Sequence, residues 1–110
     1  MKKKPKDLLQ GTLDLLILRI LSAGPRHGYG IARRIEQISE DVLKVQQGSL
    51  YPALHRLEDQ ALVKSEWKSE GDKRPVKIYT LSKAGIDQLE EQTKGWREYS
   101  AAVELILTTA

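Results

Sequence analysis

The sequence predicts a mostly α-helical fold with one small β-hairpin and a long last helix, and three patterns lead to that reading. Apolar residues crowd 8–21 on nearly every face and recur every three to four positions through 28–39 and 49–60, the spacing of helix faces. At 63–67 the period falls to two, and 76–81 reads as a second strand. From Leu89 to Ala110 the apolar spacing lengthens to a heptad-like seam.

The first helix, 8–21, carries Leu8, Leu9, Leu13, Leu15, Leu16, Ile17, Leu18, Ile20 and Leu21, so it is apolar on most faces and must be buried on most faces. Gly24-Pro25 ends it, because proline disfavours helical geometry in the preceding residue and glycine suits a helix C-terminus. In the second helix Ile31, Ile35 and Ile38 form one stripe, with Arg33, Arg34, Glu36 and Gln37 turned away. Leu50, Leu54, Leu57 and Ala61 make the stripe of the third. Pro52 is accepted in its first turn, where a missing N–H has no intrahelical acceptor.

Val63, Ser65 and Trp67 then alternate with Lys64, Glu66 and Lys68. The polar turn formers of 69–75 make an exposed tip between the two strands, a wing on three helices. Ser82 is placed to cap the last helix through its hydroxyl. Along that helix Leu89, Trp96, Val103 and Ala110 recur every seven residues, with Tyr99 and Ile106 three beyond the second and third. A helix projecting from a small domain has little of its own chain to pack on, so the seam of Leu89, Trp96, Tyr99, Val103 and Ile106 is expected to bury against a second copy in a homodimer.

Three helices and a two-stranded wing form a winged helix-turn-helix, whose third helix enters the major groove of double-stranded DNA. The chain then divides into a DNA-binding domain at 1–81 and a C-terminal dimerisation helix at 82–110, in one compact unit. Composition agrees in outline. The formal charge is +3, and the basic excess lies in 1–81 while the final segment is net acidic. Lys2, Lys3, Lys4 and Lys6 make 1–6 a basic arm or a solubilising tail. No apolar run approaches the ~20 residues of a membrane span, and Gln10, Asp14 and Arg19 interrupt the stretch that follows the basic start. A cytoplasmic protein without membrane contact is expected.

With its apolar stripe on the core, the third helix presents Gly48, Ser49, Pro52, His55, Arg56 and Asp59 on the opposite side. Gln47, Ser49, His55 and Arg56 offer hydrogen-bonding groups there, and the helix N-terminus offers free N–H groups to a phosphate. Two roles are open to Tyr51, a hydroxyl donor to phosphate or a filler of the core edge. Arg56 is either a DNA contact or a surface charge paired with Glu58 or Glu36. At the wing, Lys73 and Arg74 occupy the tip, and Lys68 and Lys77 lie on the strands.

Three runs carry a resemblance: His27-Gly28-Tyr29-Gly30-Ile31, Gly48-Ser49-Leu50-Tyr51-Pro52-Ala53-Leu54-His55-Arg56-Leu57-Glu58, and Lys77-Ile78-Tyr79-Thr80-Leu81-Ser82-Lys83-Ala84-Gly85. Together, over nearly the whole chain, they resemble the PadR family of bacterial transcriptional regulators, and Gly11-Thr12-Leu13-Asp14 is similar to that family's start. The resemblance implies a winged-helix homodimer, usually a repressor, on a pseudo-palindromic operator. It places Tyr51, Pro52, His55 and Arg56 in the recognition helix and Lys73 and Arg74 in the wing. It also implies a compact member, in which the single C-terminal helix packs with the first helix at the dimer interface. Trp96 falls where some compact members hold a planar hydrophobic effector, although a tryptophan at a heptad position also serves as interface filler. Here Pro75-Val76 interrupts the basic run that many members carry, and Ile78 replaces an aromatic residue.

An enzyme is the weaker reading. His27 and His55 are the only histidines and lie on separate helices, and there is no cysteine, Gly-x-Ser-x-Gly turn or phosphate-cradling glycine loop. His27 reads as a helix-start residue. No cofactor or metal is expected. The remaining alternative is a protein-interaction adaptor that keeps the winged helix without specific DNA binding.

Overall fold

The computed structural model describes residues 10–69 and 71–110. Lys2, Lys3, Lys4 and Lys6 of the basic arm, Leu8 and Leu9 of the first helix, and Glu70 of the wing lie outside them. The elements follow as α1 (Gln10–Leu21), β1 (Arg26–His27), α2 (Gly28–Ile38), α3 (Gln47–Asp59), β2 (Val63–Lys68), β3 (Val76–Leu81) and α4 (Lys83–Thr109). This is the winged helix-turn-helix with a long last helix that the periodicities predict.

Ile17 and Leu18 of α1 are adjacent and both fully buried, as a helix apolar on most faces requires. Around them close Ile31 and Ile35 of α2, and Leu50, Ala53, Leu54 and Leu57 of α3. His27 caps α2, its Nδ1 accepting the Gly30 N–H at 3.0 Å. At the other end the Asp41 N–H reaches the Glu36 carbonyl at 2.8 Å and the Glu40 N–H the Gln37 carbonyl at 3.2 Å. That turn carries α2 beyond the core, so Ile38, expected on the buried stripe, is exposed.

Helix α3 begins at Gln47, two residues before the expected start, which puts Gln47, Gly48 and Ser49 in its first turn. Ala61 does not extend its stripe. The helix ends at Asp59, and Ala61 takes a left-handed φ of 60° while the Leu62 N–H bonds the Leu57 carbonyl at 2.9 Å. Ala53 fills the core instead.

The sheet has three strands in the order β1-β3-β2, all antiparallel. Two residues of β1 are too few to show a period, and they exist as a strand only through Arg26 opposite Tyr79 and His27 opposite Ile78. In the hairpin Val63 faces Leu81, Ser65 faces Tyr79 and Trp67 faces Lys77. Residues opposite one another share a face. Val63 and Tyr79 at one end of that face are in the core, whereas Trp67 at the other end is 68% exposed.

Ser82 caps α4, accepting the Gly85 N–H at 3.0 Å and donating to the Leu62 and Ala61 carbonyls. Gly85 is buried so tightly that a Cβ there would overlap the Leu62 carbonyl and lie 2.6 Å from Leu81 Cδ1. Leu89 differs from the seam expected of it, because it packs into the chain's own core. A side chain already covered by its own domain adds little area to an interface. The unpartnered apolar face therefore starts at Trp96 and continues through Tyr99, Val103 and Ile106, all exposed. At about 1.5 Å per residue, the 27 residues of α4 run about 40 Å, in a molecule whose longest dimension is 59 Å.

Candidate nucleic-acid interface

One face of the domain brings together the first turn of α3, the start of α2 and the wing. Gln46 precedes α3 in an extended conformation and makes no side-chain cap, and Gln46, Gln47, Gly48 and Ser49 are all exposed. This leaves the positive end of the helix dipole open to solvent, the arrangement that receives an anion. Pro52 and His55 continue the exposed side, with His55 Nε2 3.5 Å from Asp59.

Tyr51 lies at the edge of this face. Its ring rests against Gly28, where a Cβ would stand 2.9 Å from Tyr51 Cε1, yet the residue stays 46% exposed. Of the two roles open to it in sequence, the packing at the core edge is the one seen here, and the residue also lines the cleft beside the wing. At the tip, Lys73 and Arg74 are exposed and form no ion pair among the described residues.

Arg56 stands apart from the rest of the face. Its Nη2 donates to Asp14 Oδ1 of α1 at 3.0 Å, across 42 residues of sequence, and both side chains are largely covered. Its partner is therefore neither Glu58 nor Glu36. Burial pushes the Asp14 carboxyl above the usual aspartate range, and the attraction of Arg56 only partly offsets that. Two residues on, Glu58 accepts the Ser65 hydroxyl at 2.5 Å and lies 3.5 Å from Lys77 Nζ. The Ser65 hydrogen bond, with help from Lys77, holds Glu58 below its ordinary range. Lys77 also stands 5.6 Å over the Tyr79 ring, so this wing cation is engaged within the domain. Helix α3 is thereby tied through Arg56 to α1 and through Glu58 to the wing.

Elsewhere, α1 and α4 border an open groove of about 1140 Å³ lined by Thr12, Leu15, Leu16, Ile86, Leu89 and Trp96, among others. Trp96 is 46% exposed and its ring lies 6.3 Å from that of Tyr99. Among the described residues no helix is long and apolar enough to cross a membrane, and no cluster of His, Asp or Glu is placed to hold a metal ion.

Sequence reasoning missed Asp14, the Glu58–Ser65–Lys77 link and the exposure of Trp67. Only the first left a signal, a lone carboxylate inside an otherwise apolar helix.

Comparison with known proteins agrees with this architecture. Residues 17–91 match the Transcriptional regulator PadR-like family. A PadR family transcriptional regulator from Eggerthella lenta is 32% identical, with a TM-score of 0.79 over 92% of this chain and 86% of that one. The fold is shared at a TM-score of 0.83 by a transcriptional regulator from Clostridium thermocellum, 23% identical, over 90% of this chain and 96% of the other. The transcriptional regulator YqjI of Escherichia coli is 35% identical over 81 residues, 74% of this chain but 37% of YqjI. A family match across most of the chain, joined to a full-length relative of the same fold, makes this chain a member of the PadR-like family of transcriptional regulators.

Proposed function

We infer that the chain is a sequence-specific DNA-binding repressor that acts as a homodimer on a pseudo-palindromic operator and is released by a hydrophobic effector. The observation that carries the reading is the uncapped, exposed first turn of α3 beside a wing tip with two cations outside the described ion pairs. Gln47, Ser49, Tyr51, Pro52 and His55 would meet the major groove, and Lys73 and Arg74 the flanking backbone. Arg56 is the exception among the candidates, since its guanidinium is already engaged by Asp14.

Dimerisation is supported by the exposed apolar face of Trp96, Tyr99, Val103 and Ile106, which a soluble chain buries against its like. Two copies related by a two-fold axis would read half-sites about 34 Å apart. The groove beside Trp96 supplies a place for a planar apolar effector between the subunits.

Selection of bound sequences from random duplex DNA, followed by titration at several salt concentrations, tests the reading. A repressor recovers one two-fold-related motif and loses about 0.9 log unit of affinity per log unit of salt for each phosphate neutralised. Absence of binding at low salt would favour the interaction adaptor.

A further inference from the structure

Between the wing and the starts of α2 and α3 lies an open cleft of about 490 Å³, walled by His27, Tyr29, Tyr51, Trp67, Val76 and Tyr79. Its aromatic character is unusual for a surface facing solvent. Trp67 is 68% exposed and Tyr29 60% exposed, and neither packs in the core although both sit on elements that do. Tyr29 is held in place by His27, the two rings stacked with centroids 6.3 Å apart and planes 10° from parallel. His27 is itself fixed by its bond to the Gly30 N–H. Gly28 forms the floor, and its missing Cβ is what lets the Tyr51 ring settle on the start of α2.

The charge pattern around this cleft is specific. Lys77, the cation in its lining, is engaged by Glu58 and by the Tyr79 ring. Lys73 and Arg74 of the wing tip directly precede Pro75 of its lining, and Tyr51 of its lining stands four residues after the uncapped start of α3. An apolar aromatic surface adjoining two elements that offer sites for negative charge suits one strand of a duplex, in which an apolar sugar separates successive phosphates. The cleft is also continuous with the face proposed to meet DNA, because Tyr51 belongs to both.

We propose that Tyr29, Tyr51 and Trp67 form an aromatic cradle for the deoxyribose backbone of one DNA strand beside the recognition helix. This rests on the DNA-binding reading above and adds two residues to it, Tyr29 and Trp67. The contact contributes affinity through apolar packing, neutralises no phosphate and is indifferent to base sequence.

The test is duplex binding by the full chain carrying Trp67→Ala, Trp67→Phe or Tyr29→Ala, measured over a range of salt on the selected operator and on an unrelated duplex. The cradle predicts that both alanine variants lose about tenfold in affinity on both duplexes, the size of a well-buried aromatic contact. It also predicts an unchanged slope of log affinity against log salt, near-native binding by Trp67→Phe, and an unshifted melting temperature. Lys73→Ala is the contrast, lowering the slope by about one. Affinity within twofold of the parent for both alanine variants would overturn the cradle while leaving DNA binding intact, and so would a slope that falls with affinity. If the parent chain itself binds no duplex, the DNA-binding reading fails and the cradle with it.

Discussion

Arg56 and Asp14 allow a sharp test, because the geometry predicts unequal consequences for removing either member. Asp14 is 19% exposed at its side chain and Arg56 34%, so the pair lies between a surface bridge and a buried one. Burial raises the Asp14 carboxyl despite the nearby guanidinium, so the charged form is disfavoured by the fold on balance. Asp14→Asn removes that charge and keeps an oxygen to accept from Arg56; stability should change by less than about 0.5 kcal/mol. Arg56→Ala strands a covered carboxylate and should cost about 2 kcal/mol, below the full value of a wholly buried pair. The double variant should resemble Asp14→Asn rather than the sum of the two. Urea unfolding at one fixed protein concentration measures all three, with equal m-values as the check on a common denatured state. Equal losses for the two single variants would show that the pair stabilises the fold by itself and would refute the reasoning.

Other predictions follow from the same contacts. Glu58 titrates below its ordinary value in the folded chain, so the native state holds fewer protons than the unfolded one, and this stabilisation should be lost as pH falls below the ordinary glutamate range. Glu58→Gln and Ser65→Ala should both flatten that acid limb in thermal melts. Asp14 has the opposite sign: its raised value makes stability fall as pH rises through the aspartate range, and Asp14→Asn should abolish that slope. Ala61→Gly should raise stability by about 1 kcal/mol, because the left-handed φ of 60° is strained for alanine and free for glycine. Gly85→Ala should lose about 2–3 kcal/mol, since the backbone of Leu62 cannot yield to the new methyl as a flexible side chain would. Val103→Asp with Ile106→Asp should leave the domain folded and convert a sedimenting dimer to a monomer, as both side chains are exposed in the single chain.

Much of the fold was legible because its elements are long relative to their periods. Ile17 and Leu18, the Ser82 cap and the alternation at Val63 are local signals, and the structure places each as read. Ile38 shows the limit. A stripe names the inward face of a helix but not the point at which the core beneath it ends. Leu89 and Trp96 share one heptad register, yet the domain edge falls between them, and only three-dimensional packing sets that edge. The strand β1 and the Asp14–Arg56 pair were illegible for a related reason, since Arg26 finds its partner Tyr79 53 positions away along the chain and Asp14 finds Arg56 42 away. The exposed candidates on α3 and the wing could be named from helix geometry alone. Whether a cation there is free or already engaged could not, which is why Lys77 and Arg56 read like Lys73 and Arg74 until their neighbours were known.

Helix α1 turns Ile17 and Leu18 to the core, Leu15 and Leu16 to the groove beside Trp96, and Asp14 to the recognition helix. Twelve residues therefore serve three constituencies. Substitutions in such a segment are pleiotropic, so a saturation scan should find α1 variants in which folding, assembly and operator affinity fail together, whereas variants in the last turns of α4 should register in assembly alone.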